Sequence, residues 1–319
     1  IMDSSTEQFF QIFHPDLLTK SEELNASKYK LVHYTSAQAV LSILKKKEIW
    51  LRNTRCMNDL SEVEHGFNCL SNALKADTGK LPLKTFLDAR FPGLFSDLVG
   101  RFDSWLPKFR SATYIACVSE HYADEDVYGR LSMWRAYGGA TPVAVIVNPG
   151  VFASESDALK AYSYPVRYLD LDGFSSQVLE LENRMAAHET FIQSLPRESV
   201  VGWLFQVFQR IIMTTKHPGF REEKEWRVVY NPSFQKSDYI REEIEIINGV
   251  PQLVCKLPLC NMPDQGLVGL EFDELIDRII IGPCDQQGVI AAAIRSSLEA
   301  AGVGGFADRV QISGIPLRR

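Results

Sequence analysis

Apolar and polar residues alternate in short segments of this chain, and longer segments between them carry apolar residues every three or four positions. Alternation rich in β-branched residues predicts strands. The clearest are KLVHYT (30–35), EIWL (48–51), YIACV (114–118), VAVIV (143–147) and EWRVVY (225–230). Further strands are predicted for 161–169, for RIIIGP (278–283), for VQISGI (310–315) and for a hairpin over 239–257 around Asn248-Gly249.

The helical periodicity predicts a helical lead-in over 3–30, where Phe9, Phe10 and Phe13 share one face. Other helices are predicted after a Ser36 N-cap, over 61–76, over 83–109 with a break at Pro92-Gly93, within RLSMWRAYGG (130–139), over 175–216 with a break near Pro196, and over 286–301. No linker or internal repeat divides the chain. We therefore expect a helical extension (1–30) and a single α+β domain (31–319) with helical insertions near 81–110 and 172–215.

Composition narrows the function classes. The 34 Lys and Arg residues against 40 Asp and Glu give a net charge of -6, which argues against binding nucleic acid through bulk positive charge. Lys45, Lys46 and Lys47 with Arg52 and Arg55 form a local basic stretch, for which the alternative is an ordinary solvated helix end. No apolar run reaches the roughly 18 residues of a membrane span. With no secretory signal in IMDSSTEQFF and six cysteines without a CxxC pair, a cytoplasmic protein is expected.

Several common catalytic motifs are absent from the sequence. There is no GxGxxG after a strand, no Walker loop, no GxSxG and no HExxH. These absences argue against a Rossmann dehydrogenase, a P-loop enzyme, a serine hydrolase and a zincin.

Two candidate clusters lie near the start of the chain. His33-Tyr34-Thr35-Ser36 stands where a predicted strand meets a helix, so His33 is a candidate acid, base or hydroxyl ligand. The alternative is a buried histidine bonded to a loop carbonyl. The second cluster, Asn58, Asp59 and Glu62, fits helix capping, although the crowded carboxylates keep a catalytic or metal-binding role open.

Two more clusters lie later in the chain. Trp134 and Tyr137 are three positions apart and form either an aromatic wall for a flat ligand or part of the core. After Lys216, the EWR segment places Glu225 and Arg227 on one strand face and Trp226 on the other. A carboxylate and a guanidinium on one face suit a sugar hydroxyl and a phosphate, and the alternative is a surface ion pair.

In this order the clusters resemble domain of unknown function 2971, a mostly bacterial family. The motifs that carry the resemblance are HYTS (33–36), NDxxE (58–62), MWxxYG (133–138), Lys216 ahead of E-W-R, IIIGP (279–283) and IS-x-IP-x-R (312–318). Together they cover roughly residues 30–319.

A second resemblance, to ADP-ribosyltransferases, rests on His33 at a strand end, the SIL helix pattern (42–44) and the late strand that opens with Glu225. It implies a mixed or antiparallel split β-sheet and NAD as the substrate. It also implies that His33 holds a ribose hydroxyl, that Tyr34 or Tyr137 stacks on nicotinamide, and that Glu225 is catalytic. Arg227 or Arg52 then holds pyrophosphate.

These resemblances make an NAD-consuming enzyme that modifies a nucleic acid or a protein the leading hypothesis, with a toxin or phage-defence effector as its biological setting. The remaining candidate ligand contacts are Thr35, Asn58, Asp59, Glu62, Trp134 and Lys216. One alternative is a nuclease or phosphodiesterase with a divalent ion at Asp59, Glu62, Glu64 and Glu225. The other is a non-catalytic nucleotide- or partner-binding module that uses Trp134, Tyr137 and Arg227.

Overall fold

A computed structural model describes residues 4–57, 62–75 and 82–316. The chain divides into two compact units, and each combines separate chain segments. The helical unit is built from the chain up to Lys20, from Asn53–Thr113 and from Pro165–Arg221. The sheet unit is built from Ser21–Arg52, Tyr114–Tyr164 and Glu222–Arg319.

The sheet unit is organised around a mixed sheet. Its strands within the described residues are β1 (Lys30–Ser36), β2 (Glu48–Asn53), β3 (Tyr114–His121), β4 (Pro142–Val147), β5 (Ala161–Pro165), β8 (Glu225–Tyr230), β9 (Arg241–Ile247), β10 (Val250–Pro258), β11 (Ile276–Ile281) and β12 (Val310–Ile312). Its helices are α3 (Ala37–Lys46), α7 (Leu131–Tyr137), α11 (Phe272–Leu275) and α12 (Gln287–Ala300).

Strand β3 is the branch point of this sheet, because it pairs with β1, β2 and β8. From β1 the sheet continues through β4 and β11 to β12, and from β2 it continues through β10 to β9. Strand β5 pairs with β8. The β11–β12 pair is parallel, whereas β1–β4 and β3–β8 are antiparallel. The expected α+β class with a mixed sheet is therefore confirmed.

The two faces of the sheet bury different clusters. One face carries Val32 and Tyr34 of β1 against Met133 and Trp134 of α7. The other face carries the larger core, to which α3 and α12 contribute their apolar stripes. The helix residues of that core are Val40, Leu44, Ile290, Ile294 and Leu298. Each such side chain contributes about 1.5–3 kcal/mol when it is fully buried.

The local sequence determines one helix cap and one turn, as predicted. The Ser36 side chain accepts a hydrogen bond from the Ala39 amide and caps α3. Asn248 and Gly249 have φ values of 52° and 80°, and this left-handed pair joins β9 to β10. The predicted hairpin is confirmed.

The helical unit contains most of the long helices among the described residues. They are α1 (Ser4–Phe13), α4 (Glu62–Lys75), α5 (Pro82–Arg90), α6 (Leu94–Ala112), α8 (Leu171–Ala187), α9 (Glu189–Ser194) and α10 (Arg197–Thr214). Two short parallel strands, β6 (Arg167–Tyr168) and β7 (Thr215–Lys216), belong to this unit. The helix α2 (Pro15–Asn25) runs through the chain boundary at Lys20.

Most helix and strand predictions agree with these bounds, and three differ. The helical lead-in ends at Asn25, the strand predicted over 161–169 is divided into β5 and β6, and the helix predicted over 175–216 breaks at His188 as well as near Pro196. The segments predicted as insertions lie in the helical unit. Their description as insertions in one domain stays a prediction. None of the helices among the described residues combines the length and apolar character of a membrane span.

Helices α4 and α10 approach each other closely at Gly66. A Cβ atom on Gly66 would lie 2.3 Å from the carbonyl oxygen of Ile212 and 2.8 Å from its Cα. Backbone atoms cannot give way as a flexible side chain can, so only glycine permits this contact.

We predict that Gly66→Ala lowers the free energy of unfolding by about 1–3 kcal/mol, because the added methyl group overpacks the contact between α4 and α10. Gly202→Ala, in α10, is the matched control, because nothing lies within 4 Å of its Cβ position. This control is expected to raise the unfolding free energy by about 0.5–1 kcal/mol. Urea denaturation of both variants tests the pair, and equal destabilisation would contradict the packing argument.

Candidate functional site

The candidate site begins with the strands on either side of β3. Val32 of β1 pairs with Ser119 of β3, and Ser119 pairs with Glu225 of β8. Residues directly opposite in antiparallel strands share a face of the sheet. Glu225 and Val32 therefore lie on the same face, about two strand spacings or roughly 10 Å apart.

Glu225 and Arg227 form a buried ion pair on that face. The Arg227 Nε donates to Glu225 Oε1 at 2.6 Å, and the two residues are 1% and 4% exposed, respectively. The surface ion pair considered from the sequence is therefore wrong. A buried pair keeps its charges only because each neutralises the other, so Glu225 is fixed in position by Arg227.

Trp226 points to the opposite face, as the alternation predicted. It belongs to the large core, and its Nε1 donates to Glu120 Oε1 at 3.5 Å. The Tyr122 hydroxyl donates to the other oxygen of Glu120 at 2.7 Å. The tryptophan thus anchors the start of β8 and holds Glu225 on the other face.

His33 lies where β1 separates from β3, since these strands pair only over Lys30–Val32. Its Nδ1 is 3.0 Å from the carbonyl oxygen of Cys117. A carbonyl oxygen only accepts, so Nδ1 carries the proton and Nε2 is an acceptor. Burial lowers the pKa of His33 below its ordinary value of 6.5, which favours this neutral ring.

His33 does not share a face with Glu225. It pairs with Val145, which packs against the large core, whereas its neighbour Val32 belongs to the cluster around Trp134. The register therefore separates the two expected catalytic residues onto opposite faces, which the resemblance did not anticipate.

Trp134 and Tyr34 are core residues. Trp134 is 0% exposed, and its Nε1 donates to the Tyr128 carbonyl at 2.8 Å. Its ring packs edge-on against the Tyr34 ring, with 4.8 Å between the ring centres. The Tyr34 hydroxyl accepts a hydrogen bond from the Arg130 backbone amide. Neither ring presents a free face, so the expected ligand contacts of Trp134 and Tyr34 are corrected to core packing.

Tyr137, the other aromatic residue of α7, is only half-buried. Its hydroxyl donates to Glu223 Oε1 at 2.8 Å, just before β8 begins. The ring of Tyr137 is thereby held beside the segment that leads into Glu225.

The other expected ligand residues lie on several different elements. Thr35 pairs with Val143 of β4, and Arg52 of β2 donates through Nη2 to Gln252 Oε1 at 3.0 Å. Lys216 belongs to the helical unit, where it is 2% exposed and its Nζ lies 4.8 Å from the centre of the Phe220 ring. Asn58, Asp59 and the side chain of Glu62 lie outside the described residues.

The described residues give the metal-dependent hypothesis no support. Within them, no group of three or more His, Cys, Asp or Glu residues is placed to hold a metal ion. Glu64, one of its expected ligands, instead forms an ion pair with Arg110 at 2.7 Å.

Arg130 organises the approach to β8 and was missed in the sequence. Its guanidinium donates to the side chain of Glu125 and to the carbonyl groups of Glu120, Glu222 and Glu223. The side chain is 12% exposed. An arginine at a helix N-terminus opposes the helix dipole, so its place directly before α7 was the signal that it has specific partners.

We predict that Arg130→Gln lowers the free energy of unfolding by about 3–5 kcal/mol, because it leaves partners of a buried charge without a donor. Arg135→Gln is the control, since Arg135 is exposed on the same helix. Its effect is expected within about 0.5 kcal/mol of zero. Urea denaturation measures both, and a small loss in Arg130→Gln would show that these bonds do not hold the segment.

Comparison with known proteins gives one family match. Searches of curated proteins and of solved structures found no match. The resemblance to ADP-ribosyltransferases therefore stays a prediction. Residues 133–228, which include Trp134, Tyr137, Glu225 and Arg227, match the model of DUF2971, a protein family of unknown function. This match confirms the expected family resemblance over that part of the chain.

Proposed function

We propose that the protein is a cytoplasmic NAD-dependent ADP-ribosyltransferase that cleaves the nicotinamide glycosidic bond. The observation that carries the proposal is the buried Glu225 carboxylate at the start of β8, held by Arg227 at 2.6 Å. A strand-borne carboxylate with a fixed orientation is the group that this reaction requires.

The chemistry follows from the charge that develops on the sugar. As the glycosidic bond breaks, nicotinamide leaves with the bonding electron pair and the ribose gains oxocarbenium character. A fixed carboxylate in a site of low dielectric stabilises that positive charge without reorganising. An acceptor nucleophile then forms a bond to the anomeric carbon and loses its proton. Glu225 is the proposed stabilising group.

His33 is proposed to bind a ribose hydroxyl. Its Nδ1 is committed to the Cys117 carbonyl, so the neutral ring offers Nε2 as an acceptor for a hydroxyl proton. The register puts His33 and Glu225 on opposite sheet faces, so contact of one ribose with both residues requires a local rearrangement where β1 leaves β3.

Tyr137 is the proposed stacking partner of nicotinamide, since Trp134 and Tyr34 are used by the core. The bond from its hydroxyl to Glu223 fixes the ring beside the start of β8. Arg227 is engaged with Glu225, and Arg52 with Gln252, so a pyrophosphate role for either requires exchange of these partners.

The acceptor in this proposal is a macromolecule, either a nucleic acid or a protein, and a toxin or defence effector is the proposed biological role. The basic stretch near Arg52 is partly neutralised, because Lys46 pairs with Glu245 at 3.6 Å. Labelled NAD followed into nucleic acid and protein fractions identifies which class is modified.

We predict that wild-type protein releases nicotinamide from NAD and that Glu225→Gln lowers the rate at least about 100-fold, because the amide no longer stabilises the oxocarbenium charge. Nicotinamide release is measured by chromatography. Loss of the ion pair also destabilises the fold, so thermal unfolding of the variant is recorded beside its activity.

The matched control is Glu222→Gln, three residues earlier. Glu222 is exposed, and its contact with Arg130 uses the backbone carbonyl, which the substitution retains. Its rate should equal that of wild type. Nicotinamide release by Glu225→Gln at the wild-type rate, or no release by the wild-type protein, would contradict the proposal.

A second prediction concerns pH. Because burial lowers the pKa of His33 below 6.5, more than half of the His33 rings stay neutral as the pH falls from about 8 to 6.5. The ratio of wild-type to His33→Gln rates should therefore change less than about twofold over that range. A ratio that falls by more than that would show that the pKa of His33 is not lowered. Below pH 6.5 the unfolded chain binds this proton more strongly than the folded protein, so His33 contributes stability that is lost as the pH falls.

A further inference from the structure

A cavity of about 170 Å³ lies within the helical unit, between the start of α2 and helices α8 and α10. Three arginines line it, Arg167, Arg184 and Arg210, together with Asp16 and Glu180. We propose that this cavity binds a phosphate group, either as free phosphate or as the phosphate of a small monoester.

The arginines are held in place by the fold. Arg210 is 4% exposed and binds Asp16 through both terminal nitrogens, at 3.0 and 3.1 Å. The Arg184 Nε donates to the Ile12 carbonyl at 2.8 Å, and the Arg167 Nη1 donates to Gln177 at 3.3 Å. Three guanidinium groups are thus oriented around one cavity before any ligand arrives.

The charges around the cavity do not balance. Asp16 pairs with both Arg210 and Arg167, and its Oδ2 lies 3.8 Å from the Arg167 Nε. The second carboxylate, Glu180, is 57% exposed and lies 3.8 Å from Arg184. Solvent screens an exposed carboxylate, so it compensates a sheltered guanidinium only weakly. The cavity therefore keeps an excess of positive charge, which an anion neutralises.

Two of the arginines also have spare donors. The Nε atoms of Arg167 and Arg210 are buried and make no hydrogen bond within the described part of the chain. A buried donor without an acceptor costs about 1–3 kcal/mol, and more for a charged group. The oxygens of a phosphate supply acceptors for planar guanidinium groups.

The positive charge also affects the pKa values of two neighbouring groups. Burial, and then the charge of Arg210, lowers the pKa of His14 to about 2. Burial, and then Arg210, also lowers the pKa of Arg167 to about 10. Burial is the larger cause of both pKa shifts, and the positive charge of Arg210 adds to it.

The size of the cavity limits the ligand. Pockets for drug-sized molecules have volumes of about 300–1,000 Å³, so this cavity accommodates a phosphate and a few further atoms but not a dinucleotide. It is therefore distinct from the proposed NAD site of the sheet unit, and the inference does not depend on that proposal.

The test is calorimetric titration of the whole protein with inorganic phosphate and, separately, with ribose 5-phosphate. Ionic strength is held constant with chloride so that general screening does not change. Saturable binding of at least one probe is expected, and the tighter probe identifies free phosphate or a monoester as the ligand. Absence of binding of both probes at millimolar concentration overturns the proposal.

Variants distinguish a binding role from a structural one. Arg184→Gln should weaken binding about tenfold or more, because one charged donor is lost. Arg184→Lys, which keeps the charge, should bind more tightly than Arg184→Gln. Arg101→Gln is the control, since Arg101 forms an exposed pair with Glu198 outside the cavity. Equal affinity of wild type and Arg184→Gln, or an equal loss in Arg101→Gln, overturns the proposal, and melting temperatures verify that each variant is folded.

Discussion

The pairing of β3 with three strands is the constraint on which the sheet unit depends. A strand has two edges, so β3 can have three partners only if two of them, β1 and β2, share its length on one side. His33 lies where β1 leaves that shared edge, and Glu225 lies on the partner strand across β3. The candidate site is therefore a result of sheet topology, and the side chains around it serve mainly to hold the branch in place.

Buried charge is placed in a similar way in both units. In the sheet unit Arg227 neutralises Glu225, and Arg130 satisfies carbonyl groups around the segment that precedes β8. In the helical unit Arg210 neutralises Asp16. The two arrangements differ in the number of arginines. Arg227 donates to Glu225 within one strand, whereas three arginines line one cavity with Asp16. An ion pair fixes a side chain, and an excess of one sign of charge attracts a ligand.

Local patterning predicted much of the fold, because strand alternation, the Ser36 cap and the Asn248-Gly249 turn act over a few residues. Side-chain faces within β8 were predicted for the same reason. The pairing register could not be predicted, since it depends on distant segments. The register places His33 and Glu225 on opposite faces of the sheet. The alternatives for Trp134 were also open in the sequence, because an aromatic wall and a core residue share one pattern. The arginine cavity was missed because Arg167, Arg184 and Arg210 are far apart in the chain.

The interleaved chain order of the two units has a consequence for folding. The sheet unit is assembled from three segments, and the helical unit takes one segment before them and two between them. During synthesis β3 and β4 emerge early, but β8, the partner of β3, and β11, the partner of β4, follow them at a distance in sequence of more than a hundred residues. Contacts between such distant segments form slowly and leave strand edges unpaired until the chain is nearly complete. The edges of β3 and β4 that β8 and β11 cover are therefore open to pairing with other chains until those late strands have been made.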